Sequence, residues 1–334
     1  MKELRIAILG ATGAVGREMM KLLEEYGLPV SELRLLCSER SAGKTLPFRG
    51  EEITLRAADE TSFEGLDFVL GAVESDMSRR FAPAIVKSGA VYIDNSSAFR
   101  LEEGVPLVVP EINGADAFPH RGIIANPNCS SIITLLAVAA LARLSPIRSM
   151  VACTYQAVSG AGAAGLQELE QQLADRAAGR ELHRSVFPAQ IACNVIPFIG
   201  RELPNGYTDE EMKMQNEGRK ILHLPELRVS CTCVRVPVLR SHSISVTVRT
   251  ERKISPGEAR AAIAAFPGCA VAEDLEGRDY PTPLDSSDQD AVWVGRIRED
   301  LTGDGLNLWC CGDQLRKGAA ANAVQILRLL WEGA

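Results

Sequence analysis

The 334-residue sequence lacks the long apolar run that a membrane-spanning helix needs. Its best candidate, 132–144, is interrupted by a threonine and an arginine, whereas a span requires about 18 uninterrupted apolar residues. A secretory signal is not expected either, because Lys2 and Arg5 lead directly into the strand-like 6–9 instead of a short apolar segment. We therefore expect a protein without membrane contact that works in the cytoplasm.

The nine cysteines lack the regular spacing of a disulfide framework, and the four histidines supply no paired metal ligands. Without an export signal, the thiols are expected to be reduced. The close cysteine pairs at 231/233 and 310/311 do not have zinc-site spacing, so no metal is expected. A net charge of −7 without a basic stripe argues against a nucleic acid partner and makes Lys and Arg candidates for binding small anions.

Length and pattern predict about two domains of ordinary size, each with its own core. In the first part, strands alternate with helical stretches, which predicts a parallel sheet with ligands at the carboxyl ends of its strands. Beyond residue 150, alternating strands at 231–238 and 244–250 indicate a largely antiparallel sheet with one solvated face. The last helix, 316–331, is apolar on one face and is expected to return to the first domain.

A glycine-rich loop follows the first predicted strand and precedes the first helical pattern. Glycines permit a tight turn and a close approach of the backbone to a pyrophosphate, whose charge the helix N-terminus favours. An ordinary turn is the alternative, but this position along the chain favours a dinucleotide site. The predicted contacts are Gly10, Thr12, Gly13, Ala14, Val15 and Gly16.

The end of the second predicted strand, 33–37, bears on the choice between NAD and NADP. An acidic residue there would accept the ribose hydroxyls of NAD. Instead, segment 38–44 offers the hydroxyls of Ser38 and Ser41 and the cations of Arg40 and Lys44 around one carboxylate, that of Glu39. The mixture favours the 2′-phosphate of NADP, and a charged surface loop is the alternative.

The segment Asn126-Pro127-Asn128-Cys129 precedes an apolar run with helical spacing. Pro127 disfavours helix at Asn126, and Asn128 is a favoured cap, so a helix is predicted to begin at Cys129. A thiol there lies at the positive end of the helix dipole, which favours the nucleophilic thiolate near neutral pH. A buried structural cysteine is the alternative for any single cysteine.

Three residues in the second half can serve such a thiolate. His242 lies in a predicted turn, where we expect it to face a cleft and titrate near the usual pKa of about 6.5. Gln156 ends an apolar strand before a loop of small residues, so its amide either orients a carbonyl or faces water. Arg235, on the strand that enters the turn, can hold a carboxylate by two parallel hydrogen bonds.

The sequence alone leaves the roles of three charged residues open. Glu217 and Lys220 are three apart on a helix that a capping box at Thr208 begins, so they share a face. A surface ion pair is their ordinary interpretation. Arg100, which follows a predicted strand end, is either a surface cation or an anion site.

Together these motifs resemble the aspartate-semialdehyde dehydrogenase family over nearly the whole chain. In the family's order, they are Gly10 to Gly16, 126–129, 155–160, 217–221, 235–238 with His242, and 315–320. The resemblance implies a Rossmann-type parallel sheet plus an α+β domain of the glyceraldehyde-3-phosphate-dehydrogenase-like type. It also implies an NADP-binding domain of residues 1–128 plus 315–334, a catalytic and dimerisation domain of residues 129–314, and a homodimer or tetramer.

The activity implied by the resemblance is reversible, NADP-dependent conversion of L-aspartyl 4-phosphate to L-aspartate 4-semialdehyde, toward lysine, diaminopimelate, methionine and threonine. In that direction Cys129 displaces phosphate to give a thioester, and hydride from NADPH gives a thiohemiacetal that collapses to the aldehyde. His242 is the implied acid/base, and Gln156 the implied orienting amide.

The resemblance also implies binding roles. Arg235 would hold the substrate α-carboxylate and Glu217 its α-ammonium. Phosphate would be bound by Arg100, Asn128 and Lys220, and the cofactor additionally by Ser159, Gly160 and Gln314. Three details depart from commoner family patterns: Ser130-Ser131 where Ser-Thr is usual, Ser241 where Gly is frequent, and Gln314 where Asn often stands.

Two other functions are compatible with parts of this pattern. N-acetyl-γ-glutamyl-phosphate reductase shares this architecture and thiol chemistry, but Asn128 replaces its typical glycine, and an acetylated amine has no charge for Glu217 to pair. A catalytically inactive homologue is the second alternative, since fold alone does not guarantee activity. Retention of Cys129, Gln156 and His242 argues against it.

Overall fold

The computed structural model describes residues 3–274 and 279–333. The chain divides into two units, of which the first comprises Met1–Asn128 and Ala319–Ala334 and the second Cys129–Gly318. The chain returns to the first unit at Ala319, four residues after the position 315 that the resemblance implies. The strands are β1 (Leu4–Leu9), β2 (Val30–Cys37), β3 (Thr45–Phe48), β4 (Glu51–Thr54), β5 (Arg56–Ala57), β6 (Phe68–Gly71), β7 (Val91–Asp94), β8 (Ile123–Ala125), β9 (Ile147–Gln156), β10 (Arg228–Arg235), β11 (His242–Thr250), β12 (Cys269–Val271), β13 (Val292–Glu299) and β14 (Gly305–Gly312). The α-helices are α1 (Ala14–Glu25), α2 (Ser75–Lys87), α3 (Pro110–Asn113), α4 (Cys129–Ala142), α5 (Gly162–Ala177), α6 (Asp209–Ile221), α7 (Pro256–Ala264), α8 (Pro283–Ser286) and α9 (Ala321–Glu332).

A six-stranded parallel sheet forms the first unit, in the order β5-β2-β1-β6-β7-β8. Counted along the chain within this sheet, the order is 3-2-1-4-5-6, which is typical of dinucleotide-binding folds. Their ligands bind where the strand order reverses, here at the carboxyl ends of β1 and β6. The predicted Rossmann-type sheet is therefore confirmed.

The core of the first unit includes the end of the chain. Helix α1 buries Met19, Leu22 and Leu23, as its helical pattern predicts, and these side chains share one cluster with Val324 and Leu327 of α9. Because α9 also packs on α1 and α3, it belongs to the same layer of helices.

The sheet of the second unit is mixed, in the order β10-β9-β11-β14-β13-β12. The predicted antiparallel pairing is confirmed for β9–β11, β11–β14 and β13–β14. It is wrong for β10–β9 and β12–β13, which are parallel. The long connection through α5 and α6 provides the crossover that parallel pairing of β9 and β10 requires.

One face of this second sheet is covered by helices, and the other is open in the single chain. Helix α4 packs on β9, β11, β13 and β14, and every residue from Ser130 to Leu141 is buried. A helix that is apolar on all sides lies in a core. On the opposite face, Val151 and Tyr155 of β9 are exposed, so the predicted solvated face is present.

Candidate active site

The glycine loop of the first unit has the shape that a pyrophosphate site needs. Gly10 has φ +93°, and a Cβ there would lie 2.3 Å from the carbonyl oxygen of Ala72. A Cβ on Gly16 would lie 2.4 Å from the Gly10 carbonyl oxygen. Gly13 caps α1 without a side-chain hydrogen bond, and the first turn contains no acidic residue. The loop therefore leaves the helix N-terminus suited to a phosphate.

The loop predicted to read the cofactor ribose follows β2. Glu39–Ser41 form a short 3-10 turn, and Ser38 and Arg40 are exposed. Since β2 lies beside β1, these side chains are at the same edge of the sheet as the glycine loop. The placement suits a 2′-phosphate group.

Arg100 supports the segment that leads to Asn128. Its Nε donates to the carbonyl oxygen of Asn126 at 2.9 Å, and its Nη2 donates to that of Asn95 at 2.7 Å. The Asn126 amide donates to Asn95 Oδ1 at 2.8 Å and accepts from Asn322 at 2.7 Å. Arg100 is buried, so the surface-cation interpretation is wrong.

Cys129 begins α4, as predicted from the proline and the cap before it. Its side chain is half-buried. A Cβ on Gly318, in the π-helical turn Arg316–Ala320, would lie 2.9 Å from Cys129 Cβ, so this turn approaches the cysteine closely because residue 318 has no side chain. Burial raises the pKa of the Cys310 and Cys311 thiols, which distinguishes them from a reactive cysteine.

Arg235 ends β10 and is held by the loop after β9. Its Nη1 donates to the carbonyl oxygen of Ala157 at 2.7 Å, and its guanidinium lies 5.8 Å from the centre of the Phe187 ring. Burial lowers the pKa of Arg235, whereas the negative charges of Cys129 and Glu210 oppose that lowering. The residue also lines a cavity of about 440 Å³, so a small carboxylate can reach it.

His242 is fully buried, which corrects the expectation that it faces a cleft. Its Nδ1 accepts from the backbone N–H of Ala157 at 3.1 Å, so the neutral ring carries its proton on Nε2. That buried Nε2 atom has no hydrogen-bond partner among the residues that the structure describes. Burial, followed by the positive charge of Arg235, lowers the pKa of His242 to about 3, so the expected value near 6.5 is wrong.

Gln156 ends β9, and its amide is held at both ends. Thr154 Oγ1 donates to Gln156 Oε1 at 3.0 Å, and Gln156 Nε2 donates to Glu210 Oε1 at 3.2 Å. Because Gln156 is 2% exposed, the alternative of an amide that faces water is wrong.

Ser159, Gly160 and Gln314 lie around His242 and Arg235. A Cβ on Gly160 would lie 2.8 Å from Arg235 Nη1 and 3.4 Å from His242 Cε1. Gln314 donates to Ser159 Oγ and accepts from the Ser241 backbone N–H at 2.7 Å. Two of the departures from the family pattern, Ser241 and Gln314, therefore contact each other. Ser241 has φ +71°, where glycine is less strained.

Glu217 and Lys220 lie on α6, whose capping box of Thr208 and Glu211 is confirmed. Glu217 is 1% exposed, so the ordinary surface ion pair is wrong for this position. Lys220 is half-buried.

Two family models match the chain in succession. A semialdehyde dehydrogenase NAD-binding domain matches residues 5–118, and a semialdehyde dehydrogenase dimerisation domain matches residues 138–317. The aspartate-semialdehyde dehydrogenase of Synechocystis is 48% identical over 330 residues, covering 98% of each chain. That of Bacillus subtilis is 43% identical, covering 98% of this chain and 97% of the relative.

The chain belongs to the aspartate-semialdehyde dehydrogenase family.

Solved structures of this oxidoreductase family share the fold closely. The crystal structure of aspartate semialdehyde dehydrogenase II from Vibrio cholerae complexed with ASA is 41% identical, with a TM-score of 0.97 and 99% of each chain covered. The resemblance inferred from the motifs is thereby confirmed.

Thr154 and Glu210 are site residues that the sequence analysis missed. Thr154 is two residues before Gln156 on β9, so both point to one face of the sheet. Glu210 is seven residues before Glu217, so two helical turns place both carboxylates on one side of α6. The sequence spacing of each residue from a predicted site residue was therefore the signal that could have identified it.

The described part of the chain contains neither a metal-ligand cluster nor a bilayer-spanning helix. Across 3–274 and 279–333, no group of three or more His, Cys, Asp or Glu side chains is arranged to hold a metal ion. No helix within these ranges combines the length and apolar character needed to cross a membrane. All nine cysteines are free thiols.

Proposed function

We propose that the protein is an NADP-dependent aspartate-semialdehyde dehydrogenase. It converts L-aspartate 4-semialdehyde, phosphate and NADP⁺ reversibly to L-aspartyl 4-phosphate and NADPH, on the route to lysine, diaminopimelate, methionine and threonine. The observation that carries the proposal is a group of three residues in the second unit. Cys129 begins a helix, the buried Arg235 interacts electrostatically with Cys129, and His242 has a buried Nε2 without a hydrogen-bond partner among the described residues. The match to a dimerisation-domain model supports a homodimer or tetramer.

The chemistry begins with the thiolate of Cys129, which attacks the aldehyde carbon. The carbonyl oxygen then becomes an oxyanion, and the N–H groups of Gln156 and His242 donate to it. NADP⁺ supplies the acceptor for the hydride that leaves this carbon, and the product is a thioester on Cys129. Phosphate attacks the thioester, and the Cys129 thiolate leaves as L-aspartyl 4-phosphate forms.

The substrate's other groups are bound by side chains of both signs. Arg235 holds the α-carboxylate, because its guanidinium borders the cavity and can donate two parallel hydrogen bonds. Glu217 binds the α-ammonium, and Arg100, Asn128 and Lys220 bind phosphate. These assignments follow the family motifs that the chain retains, and the burial of Glu217 suits a carboxylate that binds a cation.

A neutral His242 suits this sequence of steps. Its Nδ1 is occupied by the Ala157 N–H, so Nε2–H is the ring group left to donate a hydrogen bond. A donor that keeps its proton stabilises the oxyanion without a net proton transfer. The resemblance implies an acid/base role for His242. The geometry favours hydrogen-bond donation from Nε2 to the oxyanion as its main contribution to catalysis.

The assay that tests the function is phosphate-dependent reduction of NADP⁺ by L-aspartate 4-semialdehyde. We expect kcat/KM to exceed that for N-acetyl-L-glutamate 5-semialdehyde by at least about 100-fold, since an acetylated amine carries no positive charge for the Glu217 carboxylate to bind. Turnover of only the acetylated substrate would favour the reductase alternative. Absence of turnover with both, in protein that binds NADPH, would favour an inactive homologue.

The NADP preference is tested by Arg40→Ala. We expect about a tenfold loss of NADPH affinity and little change for NADH, because the variant removes one charge-assisted contact to the 2′-phosphate. Fluorescence titration of each cofactor measures the effect, and Lys87→Ala, at the end of α2, is the matched control. Equal weakening of both cofactors would remove the argument for a 2′-phosphate site at Arg40.

A further inference from the structure

The orientation of the Gln156 amide depends on a residue outside the family motifs discussed above. Thr154 contacts its oxygen and Glu210 contacts its nitrogen. A threonine hydroxyl both donates and accepts, so Thr154 tolerates either orientation of the amide. An ionised carboxylate only accepts, so Glu210 tolerates only the orientation with Nε2 toward it.

Glu210 is itself held in place. Lys213 Nζ contacts Glu210 Oε2 at 2.7 Å, while Glu210 Oε1 takes the Gln156 amide. The carboxylate lies in the first turn of α6, where the helix dipole favours negative charge. The negative charge of Glu210 also opposes the lowering of the pKa values of Arg235 and His242, which places Glu210 among the groups of the site.

We propose that Glu210 is a positioning residue, which fixes the Gln156 amide so that its second N–H is presented to the substrate's acyl oxygen. The inference rests on the proposed function. Gln156 has two N–H groups on Nε2, and Glu210 takes one of them. Without the carboxylate, the amide can rotate and present Oε1 to the oxyanion. The amide oxygen and the oxyanion then repel each other.

Glu210→Gln is the informative variant because it keeps the shape of the side chain. Lys213 only donates, so the new amide oxygen turns toward it and the new NH₂ faces Gln156. Gln156 then rotates, and we expect kcat to fall about 10- to 100-fold while the KM for phosphate stays within about twofold. Glu226→Gln, an exposed carboxylate near the start of β10, is the control and should retain activity.

A double-mutant cycle distinguishes positioning from a general effect on the fold. In a Gln156→Ala background, Glu210→Gln should change kcat by less than about twofold, because the amide on which it acts is gone. A fall in kcat by the same factor in both backgrounds would overturn the proposal. A structural role, or an action through Arg235 or His242, would produce that result.

A spectroscopic measurement tests the contact independently of turnover. In protein with ¹⁵N-labelled glutamine, the Gln156 NH₂ signal is identified by its loss in Gln156→Ala. We expect it to shift in Glu210→Gln and to stay in place in Glu226→Gln; an unmoved signal in Glu210→Gln would also overturn the proposal. Lack of turnover by the wild-type protein would instead reject the proposed function, while the NH₂ signal would still decide on Glu210.

Discussion

Cys129→Ser is expected to lower kcat by at least about 10⁴-fold and to leave NADPH binding nearly unchanged. The hydroxyl has the size of the thiol but stays protonated, so no nucleophile forms at the start of α4. The cofactor loop lies on other elements, Gly10 to Gly16 before α1, so cofactor affinity does not depend on this sulfur. Steady-state turnover and NADPH fluorescence titration measure the two effects separately.

The control for this variant is Cys193→Ser. Cys193 is an exposed thiol of the second unit, so its replacement tests whether loss of any accessible sulfur matters. We expect its kcat to stay within about twofold of wild type, since surface substitutions have small effects. If Cys129→Ser turned over substrate at a rate comparable to wild type, the assignment of Cys129 as the nucleophile would be contradicted. A folded Cys129→Ser protein that no longer binds NADPH would contradict it as well.

His242→Asn is expected to lower kcat by about 100- to 10,000-fold with little effect on NADPH binding. The asparagine oxygen can occupy the place of Nδ1 and accept from the Ala157 N–H, so the variant keeps that bond and removes the Nε2–H donor. Because the ring stays neutral, we expect His242 to cause no step near pH 6.5 in the dependence of kcat/KM on pH. The wild-type and variant profiles should therefore have the same shape in this region. A step near pH 6.5 that is present in the wild type and absent from His242→Asn would show that His242 titrates at its ordinary pKa.

The same variant changes how stability depends on pH. Folding lowers the pKa of His242 from the usual 6.5 to about 3, so unfolding takes up a proton between these values. The corresponding stability is present above pH 6.5 and is lost as the pH falls, at up to about 1.4 kcal/mol per pH unit. Urea denaturation between pH 7 and 4.5 should therefore show a steeper loss for wild type than for His242→Asn. Parallel slopes would refute the buried neutral ring.

Local signals predicted much of the site. Pro127 and Asn128 correctly predicted that α4 begins at Cys129, and the glycine spacing correctly predicted a loop between β1 and α1. These features depend on a few consecutive residues, which is why the pattern alone was sufficient.

Features set by distant residues were not predictable in the same way. The burial of His242 depends on β14 pairing beside it, and its low pKa depends on Arg235 and on burial. The parallel pairing of β9 with β10 depends on the path of the chain through α5 and α6. Neither feature has a signature in the residues that display it.

Helix α6 carries Glu210, Glu217 and Lys220 on one continuous backbone that the Thr208 capping box begins. At 1.5 Å of rise per residue, the two carboxylates are about 10 Å apart along the axis. Their relative spacing is thus a property of the peptide geometry rather than of loops. Inserting one residue between them would rotate the second by about 100°, so this helix tolerates many substitutions but few changes of length.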